Sequence, residues 1–360
     1  MAIDETLLKR EEKAVYALRS LYSRYGYSQF KMSKFEEYDL YVKNKDFLVS
    51  DGIITFTDTN GRLKALKPDV TLSIINNSKD SDGVQKLYYN ENVYRISGST
   101  HTYKEILQNG LECIGNIGRF EVVEVLSLAL KSLETIDKNA CLELSHVGLI
   151  EAAFDELQLP LSLRQDIITL INRKNSDDLK TLCVNSGLSP EVARRLSVFT
   201  ASYTDTDYAI KTVTDTFVSP NAVKVANEFK SIINILKGIG SEVKLIVDFS
   251  SIGGMSYYSG VVFKGYINTI PDAVLSGGQY DKLMKKLHRT DKAIGFAVYL
   301  DELQIFDRSD KEYDVDYCVI YGNDINVALK KCEELTKTGK TVFACKEVPT
   351  TLRYHEIITL

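Results

Sequence analysis

A block of short amphipathic helices separates two stretches with strand character, and this order most constrains the fold. From about residue 158 to 240, apolar residues recur at helical spacing without a strand signal, as in LRQDIITLINRK and NAVKVANEFKSIINILKGIG. Strand-like segments precede the block, and EVKLIVDF, YYSGVVFKGYI and AIGFAVYL follow it. Because the strands on both sides need sheet partners, we expect one α+β domain that carries a helical insertion.

Local sequence patterns also predict the domain limits. An amphipathic helix over residues 5–25 ends at Gly26, and Asn60-Gly61 predicts a β-hairpin. The last 47 residues follow a strand–helix–strand pattern, a βαβ unit that is short for an independent domain. We therefore expect four parts: the first part of the α+β domain at 1–157, the insertion at 158–240, the second part at 241–308, and a truncated C-terminal α/β unit at 312–360.

Composition excludes several classes of protein. The 360 residues include 44 Lys+Arg and 49 Asp+Glu, a net charge of -5 that disfavours a protein coating duplex nucleic acid. No apolar run approaches the ~18 residues of a membrane span, and the N-terminus lacks the apolar core of a signal peptide. We expect a cytoplasmic protein that does not bind membranes. The six cysteines are too far apart for a zinc ribbon or a CxxC pair, so we expect buried, reduced thiols.

The common catalytic motifs are absent from the sequence. There is no GxxxxGK[ST], GxGxxG, GxSxG or HExxH, and the four histidines are widely spaced. None of these histidines can be assigned as a general base on spacing alone. We therefore expect neither a metal nor a cofactor.

A set of polar residues in strand-like, apolar context is the strongest candidate for a site. Gln108 and Glu112 lie four apart in LQNGLECIG, so a strand would direct both to one face, where an amide and a carboxylate could bind an ammonium group and ring N–H donors. Alternatively, each is a solvated strand position. Gly277-Gly278 before Tyr280 allows close approach of a ligand, or forms a bulge with a packed tyrosine. The remaining members are Asp69 in LKPDVTL, Arg95 in YRIS and Tyr258 in GMSYYSGVVF.

These segments, in this order, resemble the catalytic domain of histidyl-tRNA synthetase, a class II aminoacyl-tRNA synthetase. The resemblance runs from about residue 5 to 305 and implies an antiparallel sheet flanked by helices, with the helical block as the family's insertion. It also implies a histidine-binding pocket formed by Asp69, Thr71, Arg95, Gln108, Glu112, Tyr258 and Tyr280.

The resemblance assigns a role to each part of this pocket. Asp69 and Gln108 would hold the α-ammonium group, and Arg95 would face the carboxylate. Glu112 and Tyr258 would face the imidazole ring, where a carboxylate accepts an N–H in a charge-assisted hydrogen bond.

Three positions depart from the synthetase pattern where that pattern handles ATP. Gly253 stands where the family has an arginine, and Ser97 where it has an acidic residue two after the motif 2 arginine. Glu302 replaces the arginine of the GLERL segment, and a carboxylate that faces a triphosphate is repulsive. The C-terminal unit is about half the length expected of an anticodon-reading domain. We expect synthetase activity to be absent.

This combination resembles the regulatory subunit of ATP phosphoribosyltransferase, a catalytically inactive paralogue of the synthetase. The resemblance implies a non-catalytic chain that acts with the short-form catalytic subunit in the first step of histidine biosynthesis. It implies a hetero-octamer, a homodimer through the synthetase-like domain, feedback by L-histidine, and no tRNA charging. His146, in LELSHVGLIEAAF, also matches this family, and we expect it to be packed at a helix start without a ligand role.

Two alternatives remain. A divergent histidine–tRNA ligase would form histidyl-adenylate despite Gly253 and Glu302. A sensor of RNA or stress signals built on the same pocket would bind uncharged tRNA, which the acidic charge and the short C-terminal unit disfavour.

Overall fold

The protein is described here by a computed structural model that covers residues 8–44, 52–78, 83–96, 102–252, 257–268, 270–305 and 312–360. Two compact units make up the chain, residues 1–306 and 307–360. The strands are β1 Ser28–Gln29, β2 Phe35–Glu37, β3 Thr55–Thr57, β4 Leu63–Leu66, β5 Val84–Ile96, β6 Tyr103–Gly115, β7 Cys141–His146, β8 Ser202–Tyr203, β9 Lys244–Asp248, β10 Val261–Tyr266, β11 Leu275–Gln279, β12 Lys292–Tyr299, β13 Val315–Ile320, β14 Val342–Cys345 and β15 Tyr354–Thr359. The helices are α1 Arg10–Arg24, α2 Tyr38–Val42, α3 Val70–Asn77, α4 Arg119–Ile136, α5 Val147–Glu156, α6 Leu161–Asn172, α7 Ser176–Asn185, α8 Pro190–Leu196, α9 Thr206–Thr216, α10 Pro220–Gly238, α11 Asp281–Lys286, α12 Leu300–Ile305 and α13 Ile325–Lys337.

A large sheet organises the first unit. Within the described residues its strand order is β1-β5-β6-β12-β11-β10-β7-β9-β8. Neighbours from β5 to β7 are antiparallel, whereas β1 pairs with β5 and β7 pairs with β9 in parallel. The expected α+β fold, an antiparallel sheet flanked by helices, is confirmed.

One face of this sheet forms the apolar core. Alternate side chains such as Leu111 and Phe296 are buried there, as the period of two in a strand requires. Tyr22 of α1 packs its ring 6.0 Å from that of Phe296, and its hydroxyl lies 3.0 Å from Ser132 Oγ on α4. Truncating an aromatic residue in such a core costs roughly 3–5 kcal/mol. The opposite face is therefore the one left for polar residues.

Helices α6 to α10 lie between α5 and β9 in sequence. A strand also lies in this region, where the sequence shows no strand signal: β8 pairs with β9 at the edge of the sheet. With two residues, β8 is too short to leave a period in the sequence. Its Ser202 donates to Asp248 Oδ2 at 2.8 Å, and Lys174 donates to the same oxygen at 2.6 Å. Burial would raise the pKa of Asp248, but the hydrogen bonds from Lys174, Ser250 and Ser202 hold it below its ordinary value.

A small sheet, β2-β4-β3, precedes α3 in the chain. The predicted hairpin at Asn60-Gly61 joins β3 and β4, which pair antiparallel. Gly61 has φ +77°, a left-handed conformation that glycine adopts without strain. Asp58 Oδ1 accepts the backbone N–H groups of Asn60 and Arg62, both at 2.8 Å, so the turn is closed by a side chain as well as by its glycine.

The second unit is a parallel sheet of order β14-β13-β15 with helix α13 between β13 and β14. The βαβ pattern predicted from the sequence is present, but β15 was not predicted. The six cysteines are free; Cys113, Cys183 and Cys318 are buried, whereas the other three are only half-buried. Cys318 and Cys345 place their sulfur atoms 3.6 Å apart on neighbouring strands.

Candidate functional site

The candidate site lies on the polar face of the large sheet. Residues directly opposite each other on antiparallel strands share a face. Gln108 is opposite Tyr299 of β12, and Glu112 is opposite Gly295. Gly295 is in turn opposite Gly278 of β11. Both Gln108 and Glu112 are at most 3% exposed, so the alternative that they are solvated strand positions was wrong.

Glu112 is held by two hydroxyl groups in the middle of this face. Thr71 of α3 donates to its Oε1 at 2.8 Å, and Tyr280 donates to its Oε2 at 2.5 Å. A Cβ atom at Gly295 would lie 1.7 Å from Glu112 Oε2, so the glycine is needed for this side chain to lie flat on the sheet. Burial raises the pKa of Glu112 to about 8, although the bonds from Tyr280 and Thr71 oppose the shift. A buried carboxyl with a displaced pKa is typical of functional sites.

Asp69 interacts electrostatically with both Arg95 and Glu112. Asp69 is the N-cap of α3, where its Oδ1 accepts the backbone N–H of Leu72 at 2.8 Å. Burial raises its pKa, while the Leu72 amide and the positive charge of Arg95 lower it. Arg95 on β5 donates from Nε to the carbonyl oxygen of Pro68 at 3.0 Å, which ties its guanidinium to the segment that carries Asp69. The two residues thus offer one negative and one positive group.

Three tyrosines form a wall of the site. The rings of Tyr257 and Tyr258 meet edge to face at 4.6 Å, and Tyr257 stacks on Tyr280 at 5.7 Å. A Cβ atom at Gly278 would lie 2.8 Å from two ring atoms of Tyr258. At Gly277 it would lie 2.4 Å from the Cβ of Phe296. The glycine pair therefore makes room for protein side chains on both faces.

Hydrogen bonds or electrostatic interactions link six of the seven predicted residues. Hydrogen bonds join Thr71, Glu112 and Tyr280, electrostatic interactions join Asp69 and Arg95, and Tyr258 lies near enough to Glu112 and Asp69 for their charges to raise its pKa, after the larger effect of burial. Gln108 shares their face of the sheet.

Sequence reasoning missed several residues around this site. Tyr257 contacts two of the predicted tyrosines, and the paired tyrosines of SYYSG were an available signal. Lys67 is fully buried and forms an ion pair with Glu91, 2.9 Å apart, where Glu91 is the cross-strand neighbour of Gln108. The negative charge of Glu36, on β2, raises the pKa of Asp69.

The three positions expected to have lost ATP handling are not tested by these contacts. Ser97 and Gly253 lie outside the described residues. Glu302 belongs to α12, but its side chain lies outside the described part.

His146 lies at the N-cap of α5, 9% exposed, with its ring 5.5 Å from that of Phe229 in α10. Burial lowers its pKa to about 4. The residue thus packs at a helix start, as its sequence context indicates. Across the described part of the chain, no group of three His, Cys, Asp or Glu side chains is placed to hold a metal ion. Among the helices that the structure describes, none is both long and apolar enough to cross a membrane.

The sheet order and the polar face together define the catalytic-domain fold of class II aminoacyl-tRNA synthetases. The family model for histidyl-tRNA synthetase matches residues 3–303. The chain belongs to the histidyl-tRNA synthetase family.

Relatives within this family include regulatory subunits and ligases. The chain is 24% identical to the ATP phosphoribosyltransferase regulatory subunit of Oceanobacillus iheyensis over 303 residues, which cover 83% of this chain and 74% of the relative. It is 26% identical to the histidine–tRNA ligase of Methanococcus maripaludis over 353 residues, 93% of this chain and 82% of the ligase.

Two solved structures share the fold. An ATP phosphoribosyltransferase regulatory subunit/histidyl-tRNA synthetase from Bacillus halodurans aligns with a TM-score of 0.75 at 20% identity, over 97% of this chain and 93% of that one. A chain of the ATP phosphoribosyl transferase complex of Thermotoga maritima aligns with a TM-score of 0.64 at 21% identity, over 81% and 97%. The relatives named as regulatory subunits support a regulatory role for this chain.

Proposed function

We propose that this chain is a non-catalytic regulatory subunit of ATP phosphoribosyltransferase and that it binds L-histidine on the polar face of its sheet. The observation that carries the proposal is the buried carboxyl of Glu112, held between Thr71 and Tyr280. Asp69 interacts electrostatically with both Glu112 and Arg95. An amino acid with a ring N–H presents complementary groups: an ammonium for Asp69, a carboxylate for Arg95 and an N–H for Glu112.

The pKa of Glu112 makes binding sensitive to protonation. With a pKa of about 8, this carboxyl is largely neutral at pH 7 before a ligand binds. An imidazole that donates an N–H favours the ionised carboxylate, so histidine binding should be linked to a change in bound protons. Calorimetry in buffers of different ionisation enthalpy measures that change directly.

The proposed partner is the short-form catalytic subunit. The likeness to a chain of the Thermotoga maritima complex supports this choice. We propose a hetero-octamer in which this chain forms homodimers through the synthetase-like domain. For feedback, histidine must bind the inhibited state of the complex more tightly than the active state, because a ligand with equal affinity for both shifts nothing.

Titration calorimetry with L-histidine and histidinol tests the binding site. We expect histidine to bind and histidinol to bind more weakly, because histidinol offers no carboxylate to Arg95. D69N should abolish histidine binding, whereas D39N, on the exposed surface of α2, should not alter it. No heat with millimolar histidine would refute the pocket assignment.

Reconstitution tests the regulatory role. The chain should co-purify with the short-form catalytic subunit, raise its phosphoribosyl-transfer activity, and make that activity sensitive to histidine. In the complex, D69N should keep the activation and lose the sensitivity. Unchanged transfer activity with and without this chain would refute the proposal.

The second candidate is a divergent histidine–tRNA ligase, which the similarity to the Methanococcus maripaludis ligase favours. A ligase would catalyse histidine-dependent exchange between ATP and pyrophosphate, and a regulatory subunit would not. That assay on the isolated chain separates the two.

A further inference from the structure

Glu36 of β2 and Glu112 of β6 contact α3 from opposite sides. In an α-helix two residues advance by roughly 200°, so Thr71 and Ser73 point in nearly opposite directions. Thr71 donates to Glu112, and Ser73 donates to Glu36 Oε2 at 2.6 Å. The same oxygen of Glu36 also accepts the hydroxyl of the buried Tyr41. Glu36 is thus held firmly, outside the set of residues that face the proposed ligand.

Glu36 is connected to Asp69, the N-cap of α3, through the hydroxyl of Ser73. Ser73 Oγ, which donates to Glu36, also lies 3.4 Å from the carbonyl oxygen of Asp69. The backbone N–H of Tyr94 on β5 donates a hydrogen bond to the carbonyl oxygen of Lys67 at 2.9 Å. This bond connects the segment that precedes α3 to the large sheet. These contacts hold the backbone at the N-cap, and the Leu72 amide holds the Asp69 carboxylate.

Asp69 is buried, and burial raises the pKa of its carboxyl. The negative charge of Glu36 raises it further, against the amides of Leu72 and Thr71 and the positive charge of Arg95. The ionisable groups that interact with Asp69 are Arg95 and Tyr89 from β5, Glu112 from β6, Glu36 from β2, Tyr41 from α2, and Tyr257 and Tyr258.

We propose that Glu36 is a positioning residue for Asp69: it holds the first turn of α3 through Ser73 and places a negative charge beside the turn that carries the ligand-binding carboxylate. The inference rests on the proposed histidine site for its functional consequence. An ammonium group pairs with ionised Asp69, so histidine affinity should rise with pH as Asp69 ionises. Removing the charge at residue 36 should shift that rise to lower pH.

E36Q removes the charge and keeps an oxygen that can accept from Ser73 and Tyr41. The carboxyl carbon of Asp69, labelled with 13C and assigned by its loss in D69N, reports ionisation in the ligand-free protein. At the pH where wild-type Asp69 is half ionised, E36Q should raise the ratio of ionised to neutral Asp69 by roughly threefold or more. The matched control is E37Q, which removes the same charge from the neighbouring residue, an exposed one paired with Lys64.

An identical titration of Asp69 in E36Q and the wild type would overturn the proposal, and so would an equal shift in E37Q. Histidine titrations across the same pH range distinguish a failure of the proposed role of Glu36 from a failure of the proposed function. If Asp69 shifts in E36Q but the wild type binds no histidine, Glu36 acts on Asp69 as proposed and the proposed function fails. If histidine binds and its pH profile shifts only in E36Q, both are supported.

Discussion

Replacing Glu112 by Gln should make the protein more stable at alkaline pH, although it alters a proposed ligand contact. Burial raises the pKa of Glu112 from 4.5 to about 8, despite the hydrogen bonds from Tyr280 and Thr71. The fold therefore favours the neutral acid. For a group with a raised pKa, stability is fully present below the unfolded-state value and is lost as pH rises through the folded-state value.

The magnitude follows from the two pKa values of this carboxyl. Between pH 5 and pH 9, ionisation of Glu112 should lower the free energy of unfolding by about 4 kcal/mol. E112Q has nearly the same shape and does not titrate. The free energy of unfolding of E112Q relative to the wild type should therefore increase by about 4 kcal/mol over this range, and near pH 5 the two proteins should differ by less than about 1 kcal/mol.

Thermal unfolding at pH 5, 7 and 9 measures this difference, with and without histidine. The Tm of E112Q should exceed that of the wild type increasingly as pH rises, and histidine should raise the Tm of the wild type only. E105Q, on the exposed end of the same strand, is the matched control and should show a constant offset. Parallel curves of Tm against pH for E112Q and the wild type would contradict the raised pKa of Glu112.

Two further substitutions test the packing around the site. G295A should abolish the histidine-induced rise in Tm and lower the free energy of unfolding by roughly 1–3 kcal/mol, because the new Cβ would lie 1.7 Å from Glu112 Oε2. The control is G238A, whose new Cβ meets no atom within 4 Å. Equal histidine-induced shifts of Tm in both variants would contradict this geometry. K174M should lower the free energy of unfolding by roughly 1–3 kcal/mol at pH 7, by leaving the buried Asp248 with fewer donors. Since the pKa of Asp248 is lowered, that difference should shrink as the pH falls through the lowered value, and a Tm difference that stays constant down to the lowest pH at which the wild type is folded would contradict this role of Lys174.

Local sequence patterns predicted those parts of the fold that depend on local geometry. Gln108 and Glu112 share a face because side chains in a strand alternate, and the register of β5, β6 and β12 confirms it. The Asn60-Gly61 turn and the end of α1 near Gly26 follow from the conformational freedom of glycine. These features require few contacts from distant parts of the chain.

Features that depend on distant neighbours were not predictable in the same way. Glu112 is buried because Thr71 and Tyr280, 41 and 168 residues away along the chain, both contact it. Gly277-Gly278 accommodates Phe296 and Tyr258, which no local pattern indicates. Strand β15 and the two-residue β8 exist because β13 and β9 offer them backbone partners.

Local patterns in the sequence were enough to predict the α+β class, the order of its segments and the shared face of Gln108 and Glu112, because period and glycine content act over a few residues. The chemistry of those residues depends on the tertiary structure. Burial between α3 and the sheet turns Glu112 from an ordinary carboxyl into one with a pKa of about 8, and brings Glu36 close enough to act on Asp69. Desolvation and charge interactions are set by distances between segments, and the folded chain alone defines those distances.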